Sequence, residues 1–305
     1  MIARDYDIVI IGSGAGGGTV ASALGPLVRD GIRILVLEQG PKLRVEEMTG
    51  RELDMAGALY EDDGGFLTAD GSMTLAFGRV YGGSTVVYTG TSLVAPRRVI
   101  DEIWKVPGLG HADVARRSET YLAQNGVHYL APEELNDNNR LFVTGCQRAG
   151  YHAEQFPLNV SGCLGSSLCN LGCPNGAKMG THRVQLPAAE RAGVEVVTRA
   201  TALRIQSDGA SHSVVVRVDP KIDGTKGEPS PWQPGDYRIS ARTIVVAGGS
   251  IGSSALLLRS RLPAKLPRLG EGFTCHPAHI LVAEHEKPIT NDVGHPKSFY
   301  LDRAA

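Results

Sequence analysis

Apolar positions along the first forty residues come in two short uninterrupted runs. Residues 6–11 form one, ended by Gly12, and residues 32–37 form the other. Between them, residues 15–28 are small and apolar enough for a helix packed on a sheet. Continuous apolar strands flanking a helix predict a parallel sheet buried on both faces, so this stretch reads as a βαβ unit. Residues 46–75 are mixed and polar and predict a helix followed by a loop. Residues 77–90, rich in Gly, Ser and Thr, predict a turn that meets a ligand. Helices are expected over 112–124, 132–149, 185–192 and 250–259. Strands are expected over 194–197, 202–207, 213–218 and 237–247. The segment 151–181 is irregular, and 223–236 is a polar surface loop.

Composition adds bounds to this picture. At 305 residues and 42% hydrophobic content the chain can bury a large core, at a size where one core splits into two domains. The 38 glycines are spread through the chain, which suggests many tight turns and close backbone approaches. A net charge of -1 with no Lys/Arg run gives no footprint for nucleic acid. No apolar run reaches the roughly 18 residues of a membrane span. The N-terminus enters a strand directly, without a charged leader region, which predicts a cytoplasmic protein, periplasmic only if co-exported with a partner.

Gly12-Ser13-Gly14-Ala15-Gly16-Gly17 fits the dinucleotide fingerprint G-x-G-x-x-G, and its context strengthens the match. Gly12 permits the tight turn after the strand, Gly14 lets the backbone approach a pyrophosphate, and Gly17 lets the helix pack close to the sheet. The N–H groups of the helix start face the phosphates. Glu38, 26 residues after Gly12 at the end of the next strand, is placed to bond ribose hydroxyls, and a carboxylate there argues against NADP. The loop alone leaves FAD and NAD open.

A second segment separates them. Gly78-Arg79-Val80-Tyr81-Gly82-Gly83-Ser84-Thr85, with Leu37-Glu38-Gln39-Gly40, resembles the glucose–methanol–choline (GMC) oxidoreductase family. That resemblance implies an α/β Rossmann-type FAD-binding fold. It also implies contacts from Ser13, Ala15, Gln39, Gly78, Arg79, Gly82, Gly83 and Ser84 to FAD, with Val86, Val87 and Tyr88 beside the isoalloxazine. Ala202, on a strand edge, would meet the adenine through its backbone. Ala247 and Gly248, in Val245-Val246-Ala247-Gly248-Gly249-Ser250, resemble the family's second strand–Gly–helix segment near the flavin. Leu269-Gly270-Glu271 through Cys275-His276-Pro277 resembles its His-Pro stretch. The implied domains are a discontinuous FAD-binding domain (1–100 and 191–275), a helical, cysteine-bearing insertion (101–190) and the start of an α+β substrate domain (276–305).

Cys163, Cys169 and Cys173 form C-x5-C-x3-C. Thiolates so spaced on an irregular loop can converge on one metal, and soft sulfur suits an iron–sulfur cluster or zinc. Zinc would need a fourth ligand, for which His182 is nearest. A three-iron cluster needs only three thiols. The pattern resembles the loop of FAD-dependent glucose dehydrogenases of the GMC family, which hold a [3Fe-4S] centre and pass electrons to a cytochrome subunit. Long-chain alcohol oxidases also carry cysteines near such a turn, and a disulfide or plain buried thiols are the other readings. Cys146 and Cys275 are expected to be core thiols.

The resemblance implies oxidation of the CH–OH group of a small alcohol, sugar or sterol, with hydride passing to flavin N5. The family's general base is a histidine near the end of a longer chain, paired with His or Asn, and no residue here is assigned that role. His276 reads as structural, while His279, His285 and His295 open the substrate domain. The expectation is a fragment, or a chain completed by a C-terminal complement or an electron-accepting subunit, with exposed sheet edges that favour a partner. An oxygen-using oxidase and a non-catalytic FAD-binding subunit are the alternatives.

Overall fold

The computed structural model describes residues 1–305 except 208–210, 261, 263–265, 276–280 and 302–305. It divides into two compact units, Met1–Val87 with Thr181–Glu284, and Tyr88–Gly180 with His285–Ala305.

The first unit is built on a six-stranded sheet. β1 (Ile2–Ile11) lies between β2 (Ile34–Leu37) and the Gly235–Val246 strand, and pairs in parallel with both. Glu195–Val197 adds a further parallel strand beyond β2. On the other side, His212–Val218 and Ala200–Ser207 join antiparallel. Alternation along the buried strands divides the core into two layers, because successive side chains leave a strand on opposite faces. Ile10, Ile34 and Val36 pack with Ala21 and Ala189. Val9, Ile11, Leu35 and Leu37 pack with Trp232, Tyr237 and Ile239. This is the α/β architecture with a parallel sheet expected from the two apolar runs.

Boundaries differ from the expectation where polar or special residues intervene. β1 begins at Ile2 because its polar first half is held by main-chain pairing to residues 237–241 of its neighbour. The helix after the fingerprint, α1 (Ala15–Leu24), tightens into a 3-10 turn over Gly25–Asp30. Pro26 has no N–H to continue an α-helical ladder, and Gly31, at φ 84°, ends the turn. The expected helix over 132–149 starts at Asp137, because Asn136 caps it by accepting the Asn139 N–H at 3.0 Å.

The second unit holds the helices His111–Gln124 and Asp137–Arg148 and two short antiparallel pairs. Its core is small: Leu130, Phe156, Leu158 and Val160, with Tyr300 stacked on Phe156 at 4.5 Å between ring centroids. A buried polar network supplements it. Asn139 donates to the His295 carbonyl at 3.0 Å and accepts the Ser298 N–H at 2.9 Å. The His295 ring sits 2.6 Å from the Thr89 carbonyl through Nε2 and 3.0 Å from the Lys297 carbonyl through Nδ1. Both nitrogens of this buried ring are engaged with main chain, so His295 is a structural residue.

Burial lowers the His295 pKa from its ordinary 6.5, and the two carbonyls oppose that shift only in part. The unfolded chain therefore takes up the proton more readily, and stability falls as the pH drops through the ordinary histidine range. We expect denaturant midpoints to decrease from about pH 7 to about pH 5, and His295→Asn to flatten that dependence. An unchanged slope in the variant would assign the pH response to other groups.

Candidate cofactor site

The site grows from the C-terminal end of β1, where the backbone turns sharply. Gly12 adopts φ 98°, and a Cβ there would collide with the Ala247 carbonyl oxygen. A Cβ at Gly17 would strike the Gly12 carbonyl, so α1 approaches the sheet as closely as a helix can. Gly14 caps α1 with no side-chain hydrogen bond, and the first turn carries no acid. The first intrahelical bond runs from Gly18 N–H to Gly14 C=O at 2.8 Å. The helix thus presents its positive end with no protein anion in its first turn.

The second glycine segment meets the first backbone to backbone. A Cβ on Gly83 would lie 2.8 Å from Gly14 Cα, and one on Gly78 would lie 2.7 Å from the Gly83 carbonyl carbon. Gly78 N–H donates to Ser84 Oγ at 3.0 Å, which closes the turn between them. Behind it, the buried Tyr81 hydroxyl donates to Glu190 at 2.8 Å, and Lys42 reaches the same carboxylate at 2.9 Å. Arg79 lies at the rim, 3.4 Å from Glu61. Val86 and Val87 are buried directly after the segment, while Gln39 is exposed.

Glu38 joins the two loops and is 5% exposed. One carboxylate oxygen accepts Ser13 N–H at 3.1 Å and Ser13 Oγ–H at 2.5 Å, and the other accepts Gly40 N–H at 2.8 Å. Ser13 Oγ accepts Gly82 N–H at 2.9 Å in turn. Burial pushes the Glu38 pKa up, against the pull of the Ser13 and Gly40 bonds. A carboxylate has about four acceptor positions, so three donors leave room for one more.

The structure brings Gly12, Ser13, Gly14, Ala15, Gly17, Glu38, Gly78, Gly82, Gly83, Ser84 and Ala247 into one neighbourhood. Ala247 N–H donates to the Ile11 carbonyl at 2.8 Å, and Gly248 leads into the Gly249–Ser260 helix. Ala202 stands further along its strand, paired with Val216 beside a bulge. It lies two residues beyond Ala200, whose N–H donates to the Glu38 carbonyl at 2.9 Å. Sequence reasoning missed Gly18 and Thr181 and gave Thr85 no role of its own: the Thr181 hydroxyl lies 3.2 Å from both the Ser13 and Gly82 carbonyls, Thr85 bonds Gly82 and Thr181, and Gly18 packs against Thr181. The extra glycine after Gly17 was the only local signal, and nothing in the chain around Thr181 marks it.

The expected three-thiol metal centre finds no support. Among the described residues, no group of three or more His, Cys, Asp and Glu side chains could hold a metal ion. Cys163, Cys169 and Cys173 lie on the irregular loop of the second unit and form no disulfide. Two of them are engaged within their own turns: Gly165 N–H donates to Cys163 Sγ at 3.4 Å, and Ala177 N–H to Cys173 Sγ at 3.2 Å. The buried cation beside Cys169 and Cys173 is Lys178, which donates to the Cys169 carbonyl. Burial pulls Lys178 down to about 8, and the two sulfurs oppose that shift. Burial also pushes the Cys169 thiol up, with Cys163 and Cys173 adding to the shift and Lys178 opposing it. His182, the expected fourth zinc ligand, packs against Gly82 in the other unit. His276 and His279 lie outside the described residues, and His285 is exposed.

With the geometry in hand, the comparisons define the class of protein. The family model for GMC oxidoreductases matches residues 56–278, and the chain belongs to that family. An uncharacterized GMC-type oxidoreductase, Rv0492c of Mycobacterium tuberculosis (strain ATCC 25618 / H37Rv), is 35% identical over 90% of this chain and 42% of its own length. The long-chain-alcohol oxidase FAO4B of Arabidopsis thaliana is 30% identical over 89% of this chain and 36% of its own length. The chain therefore spans less than half the length of these relatives. Among solved structures, pyridoxine 4-oxidase from Mesorbium loti superposes with a TM-score of 0.57 at 18% identity, covering 84% of this chain and 52% of that one, a likeness of fold.

Gly83→Ala forces a Cβ against Gly14, whereas Gly31→Ala, also at positive φ, meets nothing within 4 Å. We expect Gly31→Ala to cost about 1 kcal/mol, from φ alone. Gly83→Ala should cost about 1–3 kcal/mol more, as the overpacking term. Thermal unfolding of the two variants checks the order, and equal losses would mean that the loops do not touch as described.

Proposed function

We propose that the chain is the FAD-binding portion of a flavin-dependent GMC oxidoreductase that oxidises the CH–OH group of an alcohol. The observation that carries this is the contact of two glycine segments around an uncapped helix start, with Glu38 buried between them. The residues present fit FAD. The N–H groups of Ala15, Gly16 and Gly17 would face the pyrophosphate, and the glycine backbones leave the space it needs. Glu38, with one acceptor position left, would bond a ribose hydroxyl. Ala202 would offer main chain to the adenine. Arg79, Gly82, Gly83, Ser84, Val86, Ala247 and Gly248 would line the path toward the isoalloxazine, with Gln39 at the adenosine end. FAD, when bound, supplies the hydride acceptor.

The relatives described as oxidases support oxygen as the electron acceptor in preference to a cluster relay. No step is routed through Cys163, Cys169 and Cys173. The general base and most of the substrate pocket are proposed to lie in the part of the relatives' length that this chain does not match.

The purified chain is expected to take up FAD and to shift its visible absorbance on binding. Glu38→Ala removes the acceptor for three donors and should weaken FAD by about tenfold or more. A wild-type chain that leaves the FAD spectrum unchanged at every concentration would overturn the reading. In a protein of the relatives' full length, aerobic turnover of an alcohol should form peroxide, and dye reduction without peroxide would favour a dehydrogenase instead.

A further inference from the structure

The FAD reading explains the motif glycines but leaves Gly18 and Thr181 without a task. Gly18 is buried inside α1, where glycine is a poorer helix former than alanine. A Cβ at Gly18 would lie 2.8 Å from Thr181 Cβ, 3.0 Å from its Cγ2 and 3.1 Å from the Ser13 carbonyl oxygen. The missing side chain is therefore the notch that receives Thr181, which comes from a point 163 residues further along the chain and is 4% exposed.

The hydroxyl in that notch lies 3.2 Å from the Ser13 carbonyl, 3.2 Å from the Gly82 carbonyl and 3.0 Å from Thr85 Oγ1. Thr85 Oγ1 donates to the Gly82 carbonyl at 2.7 Å and accepts Thr181 N–H at 3.1 Å. The Thr181 hydroxyl carries one proton and lies equally far from the Ser13 and Gly82 carbonyls; Gly82 also has Thr85 as a donor, and Ser13 is the carbonyl through which a Thr181 bond bears on the first loop. In a trans peptide the C=O and the following N–H point in opposite directions. Holding the Ser13 carbonyl toward Thr181 therefore turns the Gly14 N–H away from Thr181, at a helix start that no side chain caps.

We propose that Thr181 is a positioning residue for the dinucleotide pyrophosphate: seated in the Gly18 notch, it locks the Ser13–Gly14 peptide so that the Gly14 N–H faces the phosphate. This rests on the FAD reading, and it concerns the diphosphate and not the adenosine.

The 305-residue chain tests it with three ligands, FAD, ADP and adenosine, titrated by calorimetry. Thr181→Val keeps the shape and removes the hydroxyl, and Thr181→Ser keeps the hydroxyl. Thr181→Val is expected to weaken FAD and ADP alike by about tenfold while adenosine changes by less than about twofold. Thr181→Ser is expected to restore both diphosphates to within about threefold of wild type. Equal losses for ADP and adenosine, wild-type FAD affinity in Thr181→Val, or no rescue by serine would each overturn the proposal. Gly18→Ala guards against a valine variant that does not fold, since alanine favours the helix and yet displaces Thr181. It should weaken ADP as valine does, and ADP bound as tightly as in wild type would overturn the proposal too. A wild-type chain that binds neither FAD nor ADP would instead remove the FAD reading on which the proposal stands.

Discussion

Everything at the candidate site depends on two stretches of main chain lying in direct contact, Gly14 against Gly83. Two peptide backbones can approach this closely only where neither carries a side chain on the facing side. Such an approach brings dipoles together without apolar area to bury, so it needs another source of stability. Glu38 and Ser13 supply it, with one carboxylate taking donors from both its own turn and the first loop, and Ser13 passing the link on to Gly82. The bonds are buried, and there an unmade bond costs more than a made one gains. The loops are therefore held as one object.

That object sits where it does because of the sheet beneath it. β1 and the Gly235–Val246 strand run parallel and end together, so Gly12 and Ala247 emerge side by side. A parallel sheet collects the C-terminal ends of its strands at one edge, which is where ligands meet open α/β folds. The apolar alternation that divides the core into two layers thus also decides where the glycine turns gather. The antiparallel strands on the far side widen the sheet and place Ala200 against the Glu38 carbonyl.

The thiol loop shows what spacing alone leaves open. Three cysteines within eleven residues are compatible with a metal cage, but spacing along a chain does not set the direction of each sulfur. Here Cys163 and Cys173 accept N–H groups from their own turns, and Lys178 takes the interior position. Chain connectivity fixed which residues were near one another, and packing fixed what they faced.

What the amino-acid sequence determined by itself is whatever follows from local chemistry. Val9, Ile10 and Ile11 must be buried on both faces, Gly12 must turn, Gly14 and Gly83 must permit close approach, and an acid at the end of β2 must lie near the first loop. These hold because side-chain absence and apolar periodicity act over a few residues. Only the tertiary structure decided that Glu38 spends three of its acceptor positions on the protein, that Gly18 is a receptacle, and that Thr181 fills it. Those contacts join positions far apart in the chain, and a threonine carries no mark of the carbonyl it will meet until the sheet and α1 have brought that carbonyl to it.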